Sequence, residues 1–397
     1  MDSVTVTLAE PVDPSRAPVP SSASEALVFR HLYEGLARVD CEGRVLTALA
    51  ESWQADDEGR RWTFILRPGA SFWDGSPVRA EDVVAAWSAR SSAAGPLQFQ
   101  VVVTDARTLV VTFARPDAAA PRRFGDPALA VTKPASEAAW PLGTGPYQIV
   151  SAGESITAAP VPGVHGPLLV LRSASAADPR DLLDAGTDAL LTDDPAVLDY
   201  AAPRPALVSL PLPWSGTYAL VTSRETALAA AESRDALARD AVRGEARGAQ
   251  PPFWWTEDGL RSCSAGPATA VSDAAAGASR IVYPRGDRLA RDLAGRLVAL
   301  AAAGRLWRSP PPATPRVAAV GLATREFDEA LARGDELGYV LALPRQVYDP
   351  CREIRARGLD PRRAAALVPL VDTRRRLLVR RSRFGVSVDW DGIPRIQ

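Results

Sequence analysis

The stretch "RWTFILRPGASFWDGSPVRAEDVVAAW", residues 61–87, joins two kinds of sequence pattern. From Trp62 to Leu66 bulky apolar side chains alternate with other residues, which predicts a strand with one buried face. Glycines and a proline then favour a tight turn. Glu81 and Asp82 open a helical pattern, where carboxylates interact favourably with the positive end of the helix dipole. The stretch therefore predicts a strand, a turn and a helix, and the helix start accounts for its carboxylates without catalysis.

Length and composition set the broad class. The chain has 397 residues, of which 47% are hydrophobic and 23% charged. This is typical of globular proteins, and the length suits two lobes better than one core. The net charge is −1 and the pI is about 6.2, so the chain has no basic field for nucleic acid. We expect no nucleic-acid partner.

Common catalytic and cofactor motifs are poorly supplied. Lys133 is the only lysine and is followed by Pro134, so a phosphate-binding G-K-[ST] loop is absent. His31 and His165 are the only histidines, which leaves few residues for zinc sites or Ser-His-Asp triads. No G-x-S-x-G motif occurs. We therefore predict no catalytic residues, no metal site and no cofactor.

Cysteine content and targeting signals leave alternatives open. Cys41, Cys263 and Cys351 allow one bridge and one free thiol, or three buried thiols. No run approaches the roughly 18 apolar residues of a membrane span. No basic-then-apolar leader precedes the first predicted strand, so we expect a cytoplasmic protein or a mature form whose leader is absent from the sequence.

The first half of the chain reads mostly as strands. A helix is predicted from an N-cap at Ser24, and a short helix within residues 45–53. Two β-branched runs around Asp105 predict a hairpin. "GTGPYQIV", residues 143–150, leads into a strand and fails as a dinucleotide-binding fingerprint, since Pro146 interrupts it and no helix follows. Residues 180–202 read as helical.

The second half changes composition. Residues 225–248 are rich in Ala and Arg and predict a helix, while residues 262–279 are small and predict a loop. From residue 280, strands and helices alternate. This βαβ pattern predicts a parallel or mixed sheet.

Several of these stretches, taken in chain order, resemble one family. They are "LYEGLARVD", "LAESW", "WTFILRPGASFWDGSPVRAEDVVAAW", "GTGPYQIV", "YDP" and the closing "VPLVD…GVSVDWDG". Together they resemble the bacterial extracellular solute-binding proteins of family five, the peptide- and nickel-binding branch of ABC importer receptors. The resemblance covers most of the chain and thins between about residues 225 and 280.

The resemblance implies an α/β fold of the two-lobed periplasmic-binding-protein type, a clamshell of type II that is similar to cluster C. Lobe one would comprise residues 1–212 plus 370–397, and lobe two residues 213–369. A chain that crosses twice suits hinge closure around a ligand in the cleft between the lobes. The implied function is capture of a short peptide or other small organic solute and its delivery to the permease subunits of an ABC importer. We expect a monomer.

Two departures from the family pattern bear on the ligand. The part between residues 90 and 140 is abridged, so the extra subdomain of lobe one is expected to be reduced. Peptide-binding members often carry an aspartate three residues before the "DP" aspartate, to hold the α-amine of the ligand. Here that position is Gln346, three residues before Asp349. A neutral amide lacks the charge-assisted bond that holds an ammonium group, which puts peptide capture in doubt.

Eight residues are candidate ligand contacts: Glu10, Pro11, Trp254, Trp255, Arg345, Gln346, Tyr348 and Asp349. Arg345 would hold a carboxylate or be a solvated surface arginine. Tyr348 would stack on a ligand or pack at the hinge, and Asp349 would be a contact or a turn residue. Of the two tryptophans, we expect at least one in the core.

Compartment and function class also have alternatives. A Cys263–Cys351 bridge would fit an oxidising compartment, and the implied location is periplasmic or extracytoplasmic. The same fold would also serve as a cytoplasmic ligand sensor or a degenerate non-transport binding protein. A hydrolase with paired carboxylates is disfavoured, because the adjacent Asp193 and Asp194 point apart in regular structure and Asp389 and Asp391 read as turn residues. Nickel binding is disfavoured because the histidines do not cluster.

Overall fold

The structure is a computed structural model that describes residues 2–94, 99–135, 140–174, 177–222, 279–308, 316–359, 367–381 and 384–397, with residues 226, 228, 236, 237, 254, 255 and 263 between them. The chain divides into two compact units. Unit 1 is Met1–Pro213 with Arg375–Gln397, and unit 2 is Trp214–Arg374. The predicted helix over 225–248 and loop over 262–279 lie, apart from single positions, outside the described residues.

Unit 1 contains most of the described elements. Its strands are β1 (Ser3–Leu8), β2 (Ala37–Val39), β3 (Val45–Thr47), β4 (Ala50–Ala55), β5 (Arg61–Leu66), β6 (Phe99–Asp105), β7 (Thr108–Phe113), β8 (Tyr147–Ala152), β9 (Ser155–Pro160), β10 (Leu168–Ser173), β11 (Ala189–Thr192) and β12 (Leu207–Pro211). Its helices are α1 (Ala23–Leu32), α2 (Ala80–Ala94), α3 (Ala120–Arg123), α4 (Pro179–Asp184) and α5 (Pro195–Ala201), with 3₁₀ turns at Pro14–Arg16 and Pro127–Leu129.

Unit 2 follows and the chain then returns to unit 1. Unit 2 contains β13 (Gly216–Val221), β14 (Arg280–Pro284), α6 (Arg288–Ala302), β15 (Ala318–Leu322), α7 (Thr324–Arg333), β16 (Gly338–Pro344), α8 (Pro350–Ala356) and β17 (Leu367–Thr373). Unit 1 is completed by β18 (Arg376–Arg380), β19 (Val386–Val388) and β20 (Pro394–Ile396). The sequence analysis placed the return to lobe one at residue 370. That boundary falls within β17, which pairs along its length with β13 of unit 2.

The main sheet of unit 1 has seven strands in the order β12-β18-β11-β1-β10-β9-β8. β1 is parallel to both β10 and β11, and β18 is antiparallel to both of its neighbours. A separate antiparallel sheet, β4-β5-β7-β6, has its own core with α2. Within that core Phe64 and Leu66 are fully buried while Ile65 is 36% exposed, which confirms the predicted alternation.

The turn and helix after β5 are confirmed as a packing corner. Trp87 of α2 is fully buried and donates its indole N–H to the Leu129 carbonyl over 2.8 Å. Asp82 accepts a 2.8 Å hydrogen bond from the backbone N–H of Arg79, which is the N3-to-N-cap bond of a capping box. The stretch that opens this corner therefore serves the framework of unit 1.

Three local predictions in unit 1 are wrong. Residues 45–55 form β3 and β4 rather than a helix, because pairing with β5 decides their state and an irregular register between Ala50 and Ser52 hides the alternation. Residues 180–202 include β11, which is buried along its whole length and so shows no strand period. Helix α1 is capped by Ser22, two residues before the predicted Ser24, since the Ser22 side chain accepts the N–H of Glu25.

Unit 2 has a five-stranded mixed sheet in the order β15-β14-β16-β13-β17. β14 is parallel to β15 and to β16, whereas β13 is antiparallel to β16 and β17. The predicted βαβ alternation from residue 280 is confirmed. α6 buries Leu293 and Leu297 on one side, as its periodicity requires.

Two glycines let a loop approach the end of α1. The N–H of Gly145 donates to the Leu32 carbonyl over 3.0 Å and satisfies one of the last acceptors of the helix. A Cβ on Gly145 would lie 2.4 Å from the Leu32 carbonyl carbon, and one on Gly143 would lie 2.2 Å from the Leu32 oxygen. The glycines of the "GTGPY" motif therefore serve close backbone packing.

A buried polar cluster joins α1 to the C-terminal hairpin, which is formed by β19 and β20. Nδ1 of His31 contacts the Leu27 carbonyl at 2.8 Å, and Nε2 accepts the backbone N–H of Ile396 at 2.9 Å. This arrangement requires the neutral ring, with its proton on Nδ1. Burial lowers the pKa of His31 to about 4, even though the Leu27 carbonyl favours the charged form.

Gly145→Ala is expected to destabilise unit 1 by roughly 1–3 kcal/mol, because the added methyl meets backbone rather than a flexible side chain. Gly153→Ala is the matched control in the same unit, since a Cβ there meets nothing within 4 Å. We expect the control to be neutral or to stabilise by up to about 1 kcal/mol. Denaturant unfolding of both variants gives the comparison, and equal stabilities would contradict the close-packing role.

His31 predicts acid sensitivity of unit 1. Since the folded-state pKa is lowered from about 6.5 to about 4, the unfolded chain binds the proton at pH values where the folded chain does not. Stability from the neutral ring is therefore full above pH 6.5 and is lost as the pH falls to 4, by roughly 3 kcal/mol. A glutamine does not titrate, so the difference in free energy of unfolding between His31→Gln and the parent protein should become smaller as the pH falls from 6.5 to 4. His165→Gln is the matched control, because it removes the other histidine of the sequence from an exposed position in the same unit.

Candidate functional site

Most candidate contacts in unit 2 follow the end of β16. The backbone N–H of Arg345 donates to the Ser215 carbonyl over 2.9 Å, and the indole N–H of Trp254 donates to the Pro344 carbonyl over 2.6 Å. The carboxyl ends of strands are a usual location for ligands in open α/β sheets. Trp254 and the residues after Pro344 are therefore brought together at one end of this sheet.

Arg345, just after β16, forms an ion pair with Asp372 on β17, and β13 lies between these two strands in the sheet. Its Nη1 lies 2.7 Å from Oδ1 of Asp372 on β17, and Thr217 on β13 donates its hydroxyl to the same oxygen over 2.6 Å. The side chain of Arg345 is 15% exposed and that of Asp372 is 2% exposed. The alternative of a solvated surface arginine is therefore wrong. Contact with a ligand carboxylate stays a prediction.

Gln346, Tyr348 and Asp349 occupy three different environments. Oε1 of Gln346 is buried and has no hydrogen-bond partner among the residues that the structure describes. The ring of Tyr348 is buried, in keeping with packing. Oδ1 of Asp349 accepts the backbone N–H groups of Cys351 and Arg352 at 3.1 and 3.2 Å, so Asp349 caps α8. This favours its interpretation as a turn residue.

The two tryptophans belong to the core of unit 2. Trp254 is 8% exposed and Trp255 is 3% exposed, and both pack in the cluster that contains Phe327. At least one was expected there, and both are. Cys263 packs against the same cluster and is joined to Cys351 of α8 by a disulfide with 5.2 Å between the Cα atoms. The bridge closes a separation of 88 residues, which restricts the unfolded chain.

Glu10 and Pro11 lie in unit 1, just after the first strand. β1 ends at Leu8, so both residues follow the strand. The N–H of Glu10 donates to the Ser24 hydroxyl over 3.1 Å, and that hydroxyl in turn donates to the Glu10 carboxylate. Pro11 is exposed. The Glu10 side chain is thus held by the first turn of α1, and contact of this segment with a ligand stays a prediction.

The carboxylate pairs considered for hydrolysis have structural partners. Oδ1 of Asp194 accepts the N–H of Ala196 at 2.8 Å and caps α5. Asp389 is 1% exposed and forms ion pairs with Arg30 and Arg395, while Asp391 also pairs with Arg30. Asp194, Asp389 and Asp391 are thus held by a helix start or by arginines of unit 1.

Two side chains of this site were missed from sequence. Asp372 is a single acidic residue at the end of the apolar run "LVPLVDT", and a lone charge in a buried strand signals an ion pair. Thr217 carries no such signal, because threonine is frequent in strands. Its contact with Asp372 depends on the pairing of β13 with β17.

In the described part of the chain, we find no helix with the length and apolarity needed to span a bilayer.

The fold and sequence comparisons agree. NikA from Brucella suis in complex with Fe(III)-EDTA has a TM-score of 0.72 at 14% identity, with 98% of each chain covered. The unliganded open form of the murein tripeptide-binding protein MppA has a TM-score of 0.60 at 15% identity, covering 96% of this chain and 93% of that one. These likenesses assign the fold class: a two-lobed α/β binding-protein fold, as predicted.

Sequence comparison finds similarity to one family over part of the chain. Residues 44–163 match the family described as bacterial extracellular solute-binding proteins, family 5 Middle. MppA of Escherichia coli is 38% identical over 76 residues, which are 19% of this chain and 13% of that protein. The glutathione-binding protein GsiB of E. coli is 30% identical over 148 residues, 33% of this chain and 29% of that protein. These matches span less than a third of either relative, and they confirm the predicted resemblance to family five.

Arg345→Met is expected to destabilise unit 2 by roughly 3–5 kcal/mol, because it leaves the buried Asp372 carboxylate without its cation. The double variant Arg345→Met/Asp372→Leu should recover much of this loss, since the uncompensated charge is removed. Arg325→Met is the matched control, because Arg325 is 91% exposed and its ion pair with Glu329 contributes little. Denaturant unfolding checks all three, and an equal loss in the single and double variants would contradict the pairing argument.

Proposed function

We propose that this chain is the substrate-binding component of an ABC importer. It would capture a short peptide or other small organic solute by closure of its two units and deliver that solute to a membrane permease. The observation that carries this proposal is the family-five match over residues 44–163. Relatives named for murein peptide, oligopeptide and glutathione binding support a peptide-like or small organic solute. Family-five relatives are binding proteins, so no chemical step is proposed.

The chain path supports a closing motion. It leaves unit 1 after Pro213 and returns at Arg375, so two segments connect the units. Two such segments allow bending while limiting other relative motion. A solute that contacts both units in the closed form alone would shift the population toward that form.

An extracytoplasmic location is part of the proposal. Relatives are named as periplasmic proteins, among them MppA of E. coli. The Cys263–Cys351 disulfide supports the same compartment, because such bonds persist in oxidising environments. This favours the importer component over the cytoplasmic sensor of the same fold.

The chemistry around Gln346 bears on the class of solute. An amide oxygen accepts a hydrogen bond from a neutral or charged donor but adds no net charge. Arg345 beside it is matched by Asp372, so these three side chains together carry no net charge. We propose that the solute presents a neutral polar group at this end of β16. An N-acylated peptide or an amide fits this description better than a free α-ammonium group.

At a concentration of 100 times Kd, a binding solute should add about 2.7 kcal/mol to the free energy of unfolding. We therefore expect it to raise the melting temperature. A thermal-shift panel should contain di- to pentapeptides, each as the free amine and the N-acetylated form, with glutathione and small organic solutes. X-ray scattering with and without the best binder should show a smaller radius of gyration in its presence. The importer proposal would fail if no solute bound and native mass spectrometry found none co-purified.

Gln346→Asp provides the matched comparison for the solute class. The added carboxylate should raise the affinity for a free-amine peptide, by about tenfold or more, and leave that for its N-acetylated form unchanged. If Gln346→Asp leaves the ratio of the affinities for the free-amine and N-acetylated peptides unchanged, the amine of the solute does not bind beside residue 346.

A further inference from the structure

β6 is an edge strand, and its outer side has no partner strand in the described part of the chain. The small sheet of unit 1 has the order β4-β5-β7-β6, in which β6 pairs with β7 alone. Alternate residues of such a strand direct their N–H and C=O groups away from the neighbour. The free side of β6 therefore presents a row of backbone groups that another extended strand can pair with.

The side chains of β6 divide between the core and the solvent. Phe99, Val101 and Val103 pack against the core of this sheet, whereas Val102 on the opposite face is 63% exposed. Val102 lies directly opposite Val110 of β7, which is half-buried. The solvent-facing side of this edge therefore carries an apolar pair of β-branched residues.

β6 lacks the features that protect edge strands from other chains, which are charged side chains, prolines and bulges. No residue from Phe99 to Thr104 is charged, and none is proline. The register irregularity of β6 lies at its end, between Val103 and Asp105, so the residues before it remain regularly paired. Most of the length of β6 is thus open to pairing.

The other edge strands of the described sheets are protected, weak or short. β12 contains Pro211 and β17 contains Pro369, and proline removes a backbone donor. β8 and β4 have register shifts at residues 149–151 and 50–52. β15 contains Gly321, which weakens a strand, and β2, β3, β19 and β20 are three residues long. This contrast distinguishes β6 from the other edges.

A second copy of the same strand is complementary to this edge. Antiparallel pairing about a two-fold axis at Val102, the middle residue of β6, brings the whole strand into register with its symmetry mate. The two Val102 side chains then face each other, Gln100 faces Thr104, and Phe99 faces Asp105. No two like charges lie opposite each other in this register, and apolar cross-strand pairs of this kind are favourable.

We propose that two copies of this chain associate through β6, which joins their four-stranded sheets into one continuous antiparallel sheet. An edge of seven residues is about 24 Å long, which is small beside the roughly 1,200 Å² of a stable interface. The dimer is therefore weak and forms at high protein concentration, and the monomer expected from the sequence is the form in dilute solution. This association lies within unit 1 and does not depend on the importer proposal.

Sedimentation equilibrium of the full chain at concentrations up to about 1 mM tests the association, and we expect reversible dimers with a Kd between about 0.1 and 1 mM. Val102→Lys brings two ammonium groups together at the two-fold axis and should weaken the dimer by about tenfold or more. Val150→Lys is the matched control, since Val150 is 54% exposed on the edge strand β8, and it should leave the Kd unchanged. A chain that stays monomeric, or a Val102→Lys variant that dimerises like the parent protein, would overturn the proposal.

Cross-linking tests the register. Val102→Cys is made in a Cys41→Ser background, because Cys41 is an exposed free thiol. Directly opposite residues of antiparallel strands have Cβ atoms about 5 Å apart, so the two new thiols can form a disulfide after a small adjustment. On mild oxidation we expect a covalent dimer of twice the 42.2 kDa chain mass, formed at least about tenfold faster than by Val150→Cys in the same background. Equal rates in the two variants would reject pairing at β6.

Discussion

The architecture depends on β18, which in chain order is the last strand of the main sheet of unit 1. β18 lies between β11 and β12 in the main sheet of unit 1 and is antiparallel to both. Without it, the facing backbone groups of β11 and β12 would lose their partners within the sheet, and unpaired buried backbone groups are costly. Residues 376–380 must therefore return to unit 1, and everything in unit 2 is an insertion between β12 and β18. The double connection on which the proposed closing motion relies follows from this constraint.

Each unit also encloses an ion pair that ties distant parts of the chain together. In unit 1, Asp389 joins the C-terminal hairpin to α1 through Arg30. In unit 2, Asp372 joins β17 to the residue after β16 through Arg345. Buried pairs contribute little net stability but penalise any arrangement that separates them. Both pairs therefore favour one register of the returning chain. Neither pair can be predicted from local sequence pattern, because its two members lie on different segments.

The elements that sequence predicted correctly have strong local signals. The hairpin around Asp105, the helix after residue 80 and the strands and helices from residue 280 show clear alternation or a clear helical face. The failures have a common cause. β4 and β11 owe their extended state to the strands beside them, and their own residues carry either an interrupted period or none. The misplaced cap of α1 was a different error, because the capping pattern from Ser22 to Glu25 was present in the sequence.

The resemblance to family five, the α/β class and the order of most elements could be predicted from the sequence, because these depend on period, turn residues and motif spacing along the chain. It also supplied the candidate residues around Gln346, since they follow a predicted strand end. What those residues contact depends on how distant segments pack. Arg345 meets Asp372, and Arg30 meets Asp389, through pairings between segments far apart in the chain. Such contacts follow from strand order and packing, which local sequence patterns do not encode.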